Sequence, residues 1–361
     1  MRTLKALTLL SLLTLILSSA VSSAAATDVN LPYTVLDTDG ISIVPAGEGR
    51  VVLNGTLFNT RTKQAVNLGI GAKEQILDVK TLSNPDKIIV LTRSKGQKIL
   101  KYSFRMDGKL QQKSFINIRL GDQGKAQWTP GAAGTPEKVW VQRDKLFSVY
   151  KAPWNQAEAS FDSTYRDTAY EYSNVIDWRA SSSPYLVLEY DGSVIMGSQR
   201  YIAIVNMNDK SQQILEVDQN PYLDLQITGN KLAVTTNWLY QAFPANVEHP
   251  DSTRAQPLLS LIDLPAAASK VILNGKFEEK YDTASGWESE LFGSQLYVKD
   301  VSAHSWSLYD LTGKSILSNQ QAPPASGHEA HFIGWDTATR EASFAIFSSS
   351  SQISVITLPV K

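Results

Sequence analysis

The sequence predicts an all-β protein, a seven-bladed β-propeller, and three observations carry that expectation. Seven times between Gly47 and Arg340 a short β-type run meets a tight polar turn and a second β-type run. The repeats recur at roughly 40 to 50 residues, the period of propellers and related arrays. No segment between the turns carries a convincing helical period. A count of six or eight blades would require merging or splitting one repeat.

The chain begins with a targeting segment. Arg2 and Lys5 give a positive start, Ala6 to Leu17 is a stretch of apolar, Ser and Thr residues, and Ala24-Ala25-Ala26 supplies small residues. Cleavage before Thr27 is expected, so residues 1–26 are a signal peptide and 27–361 a single propeller domain. The apolar run is shorter than the ~20 residues a membrane-spanning helix needs. Loss of residues 1–26 leaves 32 Lys and Arg against 35 Asp and Glu, a net of −3. A nucleic-acid partner would need a concentrated basic face, and near-neutrality argues against one. No run of like charges suggests a membrane patch, and no membrane insertion is expected after cleavage. The chain has no cysteine. Core burial alone must then hold an exported protein, and thiolate catalysis, zinc-thiolate sites and a lipidated Cys are excluded. A bacterial secreted or periplasmic protein of the cell envelope is the expectation.

Next comes an orphan strand at Tyr33 to Leu36, expected to close the ring as the outer edge of the seventh blade, because closure removes an exposed edge. Seven turns then join the inner two strands of successive blades: Gly47-Glu48-Gly49, Asn84-Pro85-Asp86, Arg143-Asp144, Asp191-Gly192, Gly229-Asn230, Gly293-Ser294, and Asp336 to Arg340. Asp-Gly, Gly-Asn and Gly-Ser suit primed hairpin turns, which need positive φ. Runs such as Lys87 to Thr92, Tyr185 to Tyr190, Lys231 to Thr236 and Ala342 to Phe347 are β-branched or aromatic, as strands packed on both faces should be. Outer hairpins turn at Asn59 to Lys63, Asp107 to Lys109, Asn208 to Lys210, Pro265 to Lys270 and Thr312 to Lys314. Gln352 to Leu358 is the last strand.

Leu308-Tyr309-Asp310-Leu311-Thr312-Gly313-Lys314 resembles the outer-hairpin signature of quinoprotein-like, YVTN-like propeller repeats, which occur in quinoprotein dehydrogenases and in non-enzymatic relatives. The resemblance implies a superfamily and fold, not one activity. A pyrroloquinoline quinone site would ask for adjacent cysteines or a Glu-Asn-Asp metal set, neither of which is present, and no cofactor is expected. Trp178, Trp287 and Trp335 are expected to pack between blades.

Surplus sequence falls in Gly121 to Pro136, Lys151 to Asp167 and Asn237 to Gln256, and all three are expected on one face. Long loops on a rigid scaffold are where binding residues sit. The expected ligand-binding residues there are Trp154, Phe161, Asp162, Tyr165, Asp167, Trp238, Tyr240, Glu248 and His249, joined by His328, Glu329 and His331 at the channel mouth. Rings stack on sugars while acids accept hydroxyl protons, and Trp and Tyr serve equally in protein hot spots. The same aromatics could instead anchor the loops to the ring. His328, Glu329 and His331 lack the helical spacing of a metalloprotease site, and Asp37 to Gly40 lacks the closing Glu of a calcium loop, so no metal is expected. No nucleophile elbow, Walker loop or dinucleotide fingerprint occurs. These features predict a non-catalytic binding or scaffolding propeller that recognises a glycan or an envelope protein. The alternative is a polysaccharide hydrolase or lyase using carboxylates or histidines as acid and base.

Overall fold

The computed structural model describes residues 25–30, 43–47, 49–71, 73–83, 86–131, 136–166, 171–172, 174–182, 184–194, 197–217, 223–236, 256–275, 287–301, 303–323, 330–349 and 352–360. Seven four-stranded antiparallel sheets form a ring. Inner to outer, blade 1 is Ile43–Pro45, Arg50–Leu53, Thr56–Asn59 and Ala65–Asn67; blade 2 is Gln75–Ser83, Asp86–Arg93, Lys98–Arg105 and Leu110–Arg119. Blade 3 is Lys125–Thr129, Lys138–Arg143, Leu146–Lys151 and Ala157–Asp162; blade 4 is Val175–Ala180, Tyr185–Val194, Gly197–Asn206 and Gln212–Val217. Blade 5 is Leu223–Thr228, Lys231–Thr236, Gln256–Asp263 and Ala268–Gly275; blade 6 is Trp287–Phe292, Gln295–Asp300, Ser305–Asp310 and Ser315–Gln321. Blade 7 is Ala330–Asp336, Glu341–Ser349 and Gln352–Pro359, completed on its outer edge by Ala25–Asn30.

The ring has no single core. It has seven, one between each pair of successive blades. Val52, Ile88, Val90 and Phe104 pack between blades 1 and 2, for example, and Trp140, Phe147, Trp178 and Leu188 between blades 3 and 4. The last, between blades 7 and 1, gathers Ile333, Ala345 and Val355 with Val51, Leu53 and Phe58. Burial on both faces is why strands such as Asp86–Arg93 run apolar without alternation. Trp178 sits edge-on to Phe147 at 5.4 Å, and half-buried Trp335 packs into the core between blades 6 and 7, so both act between blades.

The outer hairpins share a chemical device. In blades 1, 4, 5 and 6 the third strand ends in Asn59, Asn206, Asp263 or Asp310, whose Oδ1 accepts backbone N–H groups of the turn that follows. Each is an Asx turn that mimics a backbone turn and stops the strand. In blade 2 the turn instead uses Gly108, at φ +83°, where an added Cβ would lie 2.6 Å from Val66 of blade 1. Only glycine lets this turn lie so close to its neighbour.

Three expectations need correction. The closing strand is Ala25–Asn30, paired from Ala25↔Thr357 to Asn30↔Gln352; Tyr33 to Leu36 lies outside the described residues. Arg143-Asp144 turns between the second and third strands of blade 3, not between the inner two. Asp191 and Gly192 lie inside the second strand of blade 4, paired with Arg200 and Gln199, in a hairpin ten residues long on each side. The Asp-Gly signal was real turn chemistry, but ladder pairing over the whole hairpin outweighed it.

Candidate functional site

Because the strands alternate in direction, connections between strands two and three and between blades emerge on one face; call it the entry face. The other connections emerge on the opposite face. Of the predicted excursions, 237–255 lies outside the described residues; the strand ends that flank it, Thr236 and Gln256, are on the entry face of blade 5. The segment between blades 3 and 4 likewise starts from Asp162 and ends at Val175 on the entry face. Gly121 to Pro136 does not fit the expectation: it contains the inner strand of blade 3, with chain on both faces. The first part of Lys151 to Asp167 also departs from it, because residues 152–156 turn on the opposite face.

That last point separates Trp154 from the other predicted ligands. Trp154 has φ 68°, and its half-buried ring packs on the core between blades 2 and 3. Phe161 and Asp162 end the outer strand of blade 3 at the entry face. Phe161 packs partly into the core between blades 3 and 4. Asp162 is exposed, and the backbone N–H of Thr164, 2.9 Å away, holds its carboxyl below the usual range. Tyr165 pairs with Tyr172 in a two-residue hairpin above the blade. The base of this excursion is fixed to blade 4: the buried Tyr190 hydroxyl donates to the Ser163 carbonyl at 2.5 Å, and Asp191 N–H donates to Asn174 O at 3.0 Å. Asp167, Trp238, Tyr240, Glu248, His249, His328 and Glu329 lie outside the described residues.

His331 is the predicted residue that lies on an inner strand of the ring in the described structure. It lies on the inner strand of blade 7, and its Nδ1 is 3.1 Å from Glu290 Oε1 on the inner strand of blade 6. Phe347 stands edge-on to the imidazole at 5.5 Å. A carboxylate on Nδ1 fixes the orientation of the ring.

Around the channel, polar side chains of the inner strands latch blade to blade. Asp78 accepts from Trp128 N–H at 2.7 Å. Gln127 donates to Trp178 O at 2.7 Å and accepts from Ala180 N–H at 3.1 Å. Arg179 Nε donates to Leu225 O at 2.8 Å, and Asp224 accepts from Leu291 N–H at 2.9 Å. Gln226 donates to Gly293 O at 2.7 Å. Sequence reasoning missed this set, because each link joins residues 46 to 67 positions apart.

The charges here perturb one another. Burial opposes the Arg179 charge, but Asp177, Asp224 and Asp78 around it outweigh that and raise its pKa. Burial pushes the Asp224 carboxyl up. Glu189, 2% exposed on the second strand of blade 4, is pushed up to about 7 by burial and then by Asp177, its cross-strand neighbour. Arg200 lies 3.9 Å from it. Among the described residues no group of three His, Asp or Glu side chains is arranged to hold a metal ion.

No protein family and no curated protein matches the chain in sequence. Solved structures are similar to it in fold. Raptor from Chaetomium thermophilum aligns with 92% of this chain at 11% identity and a TM-score of 0.49, and this chain covers 30% of that one. Kuenenia stuttgartiensis hydrazine synthase aligns with 93% of this chain and 98% of its own at 12% identity, with a TM-score of 0.48. The β-propeller domain of Cps50 (Swd1) from Myceliophteria thermophila aligns with 92% of this chain and 99% of its own, at 10% identity and a TM-score of 0.45.

Proposed function

We propose that this protein is an exported, non-catalytic propeller of the bacterial cell envelope that binds a glycan or an envelope protein on its entry face. The carrying observation is where the chain spends its surplus. The connections at 163–174, 237–255 and 276–286 belong to the entry face, while those on the opposite face run from two to eight residues. Propellers serve widely as rigid platforms for partners, and enlarged loops on one rim are how such a platform gains a specific surface. The aromatic and acidic residues in the excursions suit a sugar or a protein surface. We place the repeat with the quinoprotein-like, YVTN-like propellers on the hairpin Leu308 to Lys314. A glycan array and a pull-down from envelope extract test the binding reading. Binding by either route is the expected result; no ligand by both routes, together with turnover of a polysaccharide, overturns it.

One observation favours a second reading. His331, held by the Glu290 carboxylate across two inner strands, makes the kind of pair a polysaccharide hydrolase or lyase would use as acid and base. Screening reducing-end release and unsaturated-product absorbance on common polysaccharides tests it. Activity that falls severely in His331→Ala supports this reading, and an unchanged rate removes it.

A further inference from the structure

The near-neutral total hides a strong polarity in the chain. Between Ile43 and Arg119, which span blades 1 and 2, 14 Lys and Arg face 5 Asp and Glu, a net of +9. From Leu120 to Lys361 there are 18 against 27, a net of −9. The outer hairpin of blade 2, from Lys98 to Arg119, holds six bases and one acid. Its last strand is also the outermost of its sheet, with no further strand beyond it among the described residues.

Three features make this edge unusual. At ten residues it is the longest of the seven outer strands, while its neighbour Ala65–Asn67 in blade 1 has three, all exposed. Blade 1 therefore stops short of covering it, and Phe115 is left 70% exposed and Leu110 53%. Phe115 pairs with Leu100, Lys113 with Tyr102 and Leu110 with Phe104, so the three outer side chains form one row on the face towards blade 1. Like charges also stand directly opposite each other, Lys87↔Arg105 and Lys98↔Arg119, an arrangement that costs stability. In blade 3 the similar pair Lys138↔Lys151 is bridged by Glu158, at 3.6 and 3.0 Å. No such acid stands between Lys98 and Arg119 among the described residues. A long edge strand that exposes Leu110 and Phe115 among basic residues offers unpaired main-chain groups for strand addition, in a charge setting that favours an acidic segment.

We propose that the outer edge of blade 2 docks an extended acidic segment of a partner protein, which adds to Leu110–Arg119 as a fifth strand. Main-chain bonds to the edge between Leu110 and Ile118 hold the segment, its apolar side chains rest on Leu110 and Phe115, and its carboxylates meet Lys98, Lys109 and Arg119. Lys113 already pairs with Glu74 at 3.6 Å, and the Arg119 carbonyl already accepts from Arg143 at 2.6 Å. This surface lies on the outer rim, so it stands apart from the entry-face reading.

The test uses a fluorescein-labelled peptide alternating Glu with Val, its Lys-for-Glu counterpart, and a version of the acidic peptide with alternate backbone nitrogens methylated. Fluorescence anisotropy should show the acidic peptide binding the full chain at least about tenfold tighter than either control. Lys109→Glu with Arg119→Glu should weaken binding about tenfold or more, and Phe115→Ser about fivefold, without lowering the melting temperature, because all three side chains are exposed and Arg119→Glu replaces a like-charge pair with Lys98. Equal binding of the methylated peptide overturns strand addition, and unchanged binding by the variants overturns the location. Capture by anionic phosphatidylglycerol vesicles or by a DNA duplex without binding of the acidic peptide overturns the partner class, as does a basic-edge-dependent dimer in its place.

Discussion

Gln127 uses both ends of one amide to hold two backbone groups of the neighbouring blade, Trp178 O and Ala180 N–H. No other residue type of that size can both donate and accept there. Truncation would leave the Ala180 N–H without its partner and the Trp178 carbonyl with Arg179 Nη1 alone, at a half-buried seam. Gln127→Ala should therefore cost roughly 1–3 kcal/mol, seen as a lower urea midpoint with an unchanged slope. An unchanged midpoint would mean that water replaces the amide fully and that the inner latches carry no stability. Local pattern could not have found this residue, since its partners lie 51 and 53 positions away. The same holds for His331. Its neighbour in sequence, His328, drew attention to it, but its partner in the described structure is Glu290, supplied by another blade at a separation of 41.

Blade 4 differs from its neighbours as an element. Its middle strands extend ten residues and set Glu189 and Asp191 beside Arg200, while the inner strand adds Asp177 and Arg179. Turn chemistry alone made Asp191-Gly192 look like a hairpin end. The run Leu186 to Tyr190, apolar except for Glu189 and buried throughout, continues the strand through it. The outer turns were more legible, because their Asn and Asp side chains satisfy the turn locally and need no tertiary partner. The buried carboxylate sets the pH response of this element. Glu189 has its folded pKa raised from 4.5 to about 7, so the folded state holds its proton more tightly than the unfolded chain does. Its contribution is then fully present below pH 4.5, falls as pH rises to about 7, and is absent above that. The amount at stake is about 3 kcal/mol. Glu189→Gln should remove this dependence: the variant should match the wild type near pH 4 and exceed it in stability at pH 8. Parallel stability curves for the two proteins across that range would show that Glu189 is ionised in the fold without cost.

At the scale of the whole molecule, the ring was legible because propeller strands are buried on both faces and announce themselves as apolar runs at a fixed period. The direction of closure was also legible, as an N-terminal strand on the last blade, but its position was not. Ala25 to Asn30 contains one large apolar side chain, Val29, whereas Tyr33 to Leu36 looked more like a strand. Val29 is 1% exposed, packed with Ile353 and Val355 in the seam between blades 7 and 1, and Asp28 accepts from the Ser354 hydroxyl at 2.8 Å. The expected cleavage before Thr27 would retain four of the six strand pairs and keep Val29. A chain starting at Thr27 should therefore fold and melt as a closed ring. A chain starting at Leu31 should lose the outer strand of blade 7 and uncover Ile353 and Val355, at roughly 1.5–3 kcal/mol for each large side chain returned to water. The bare edge of Gln352–Pro359 should then drive association in size-exclusion chromatography. A synthetic peptide of residues 25–32 added to the shorter chain should restore its melting temperature, because it supplies the missing strand in trans. If the Leu31 chain melts with the Thr27 chain and stays monomeric, the ring is held by its inner latches and seven cores alone, and the terminal strand is a passenger.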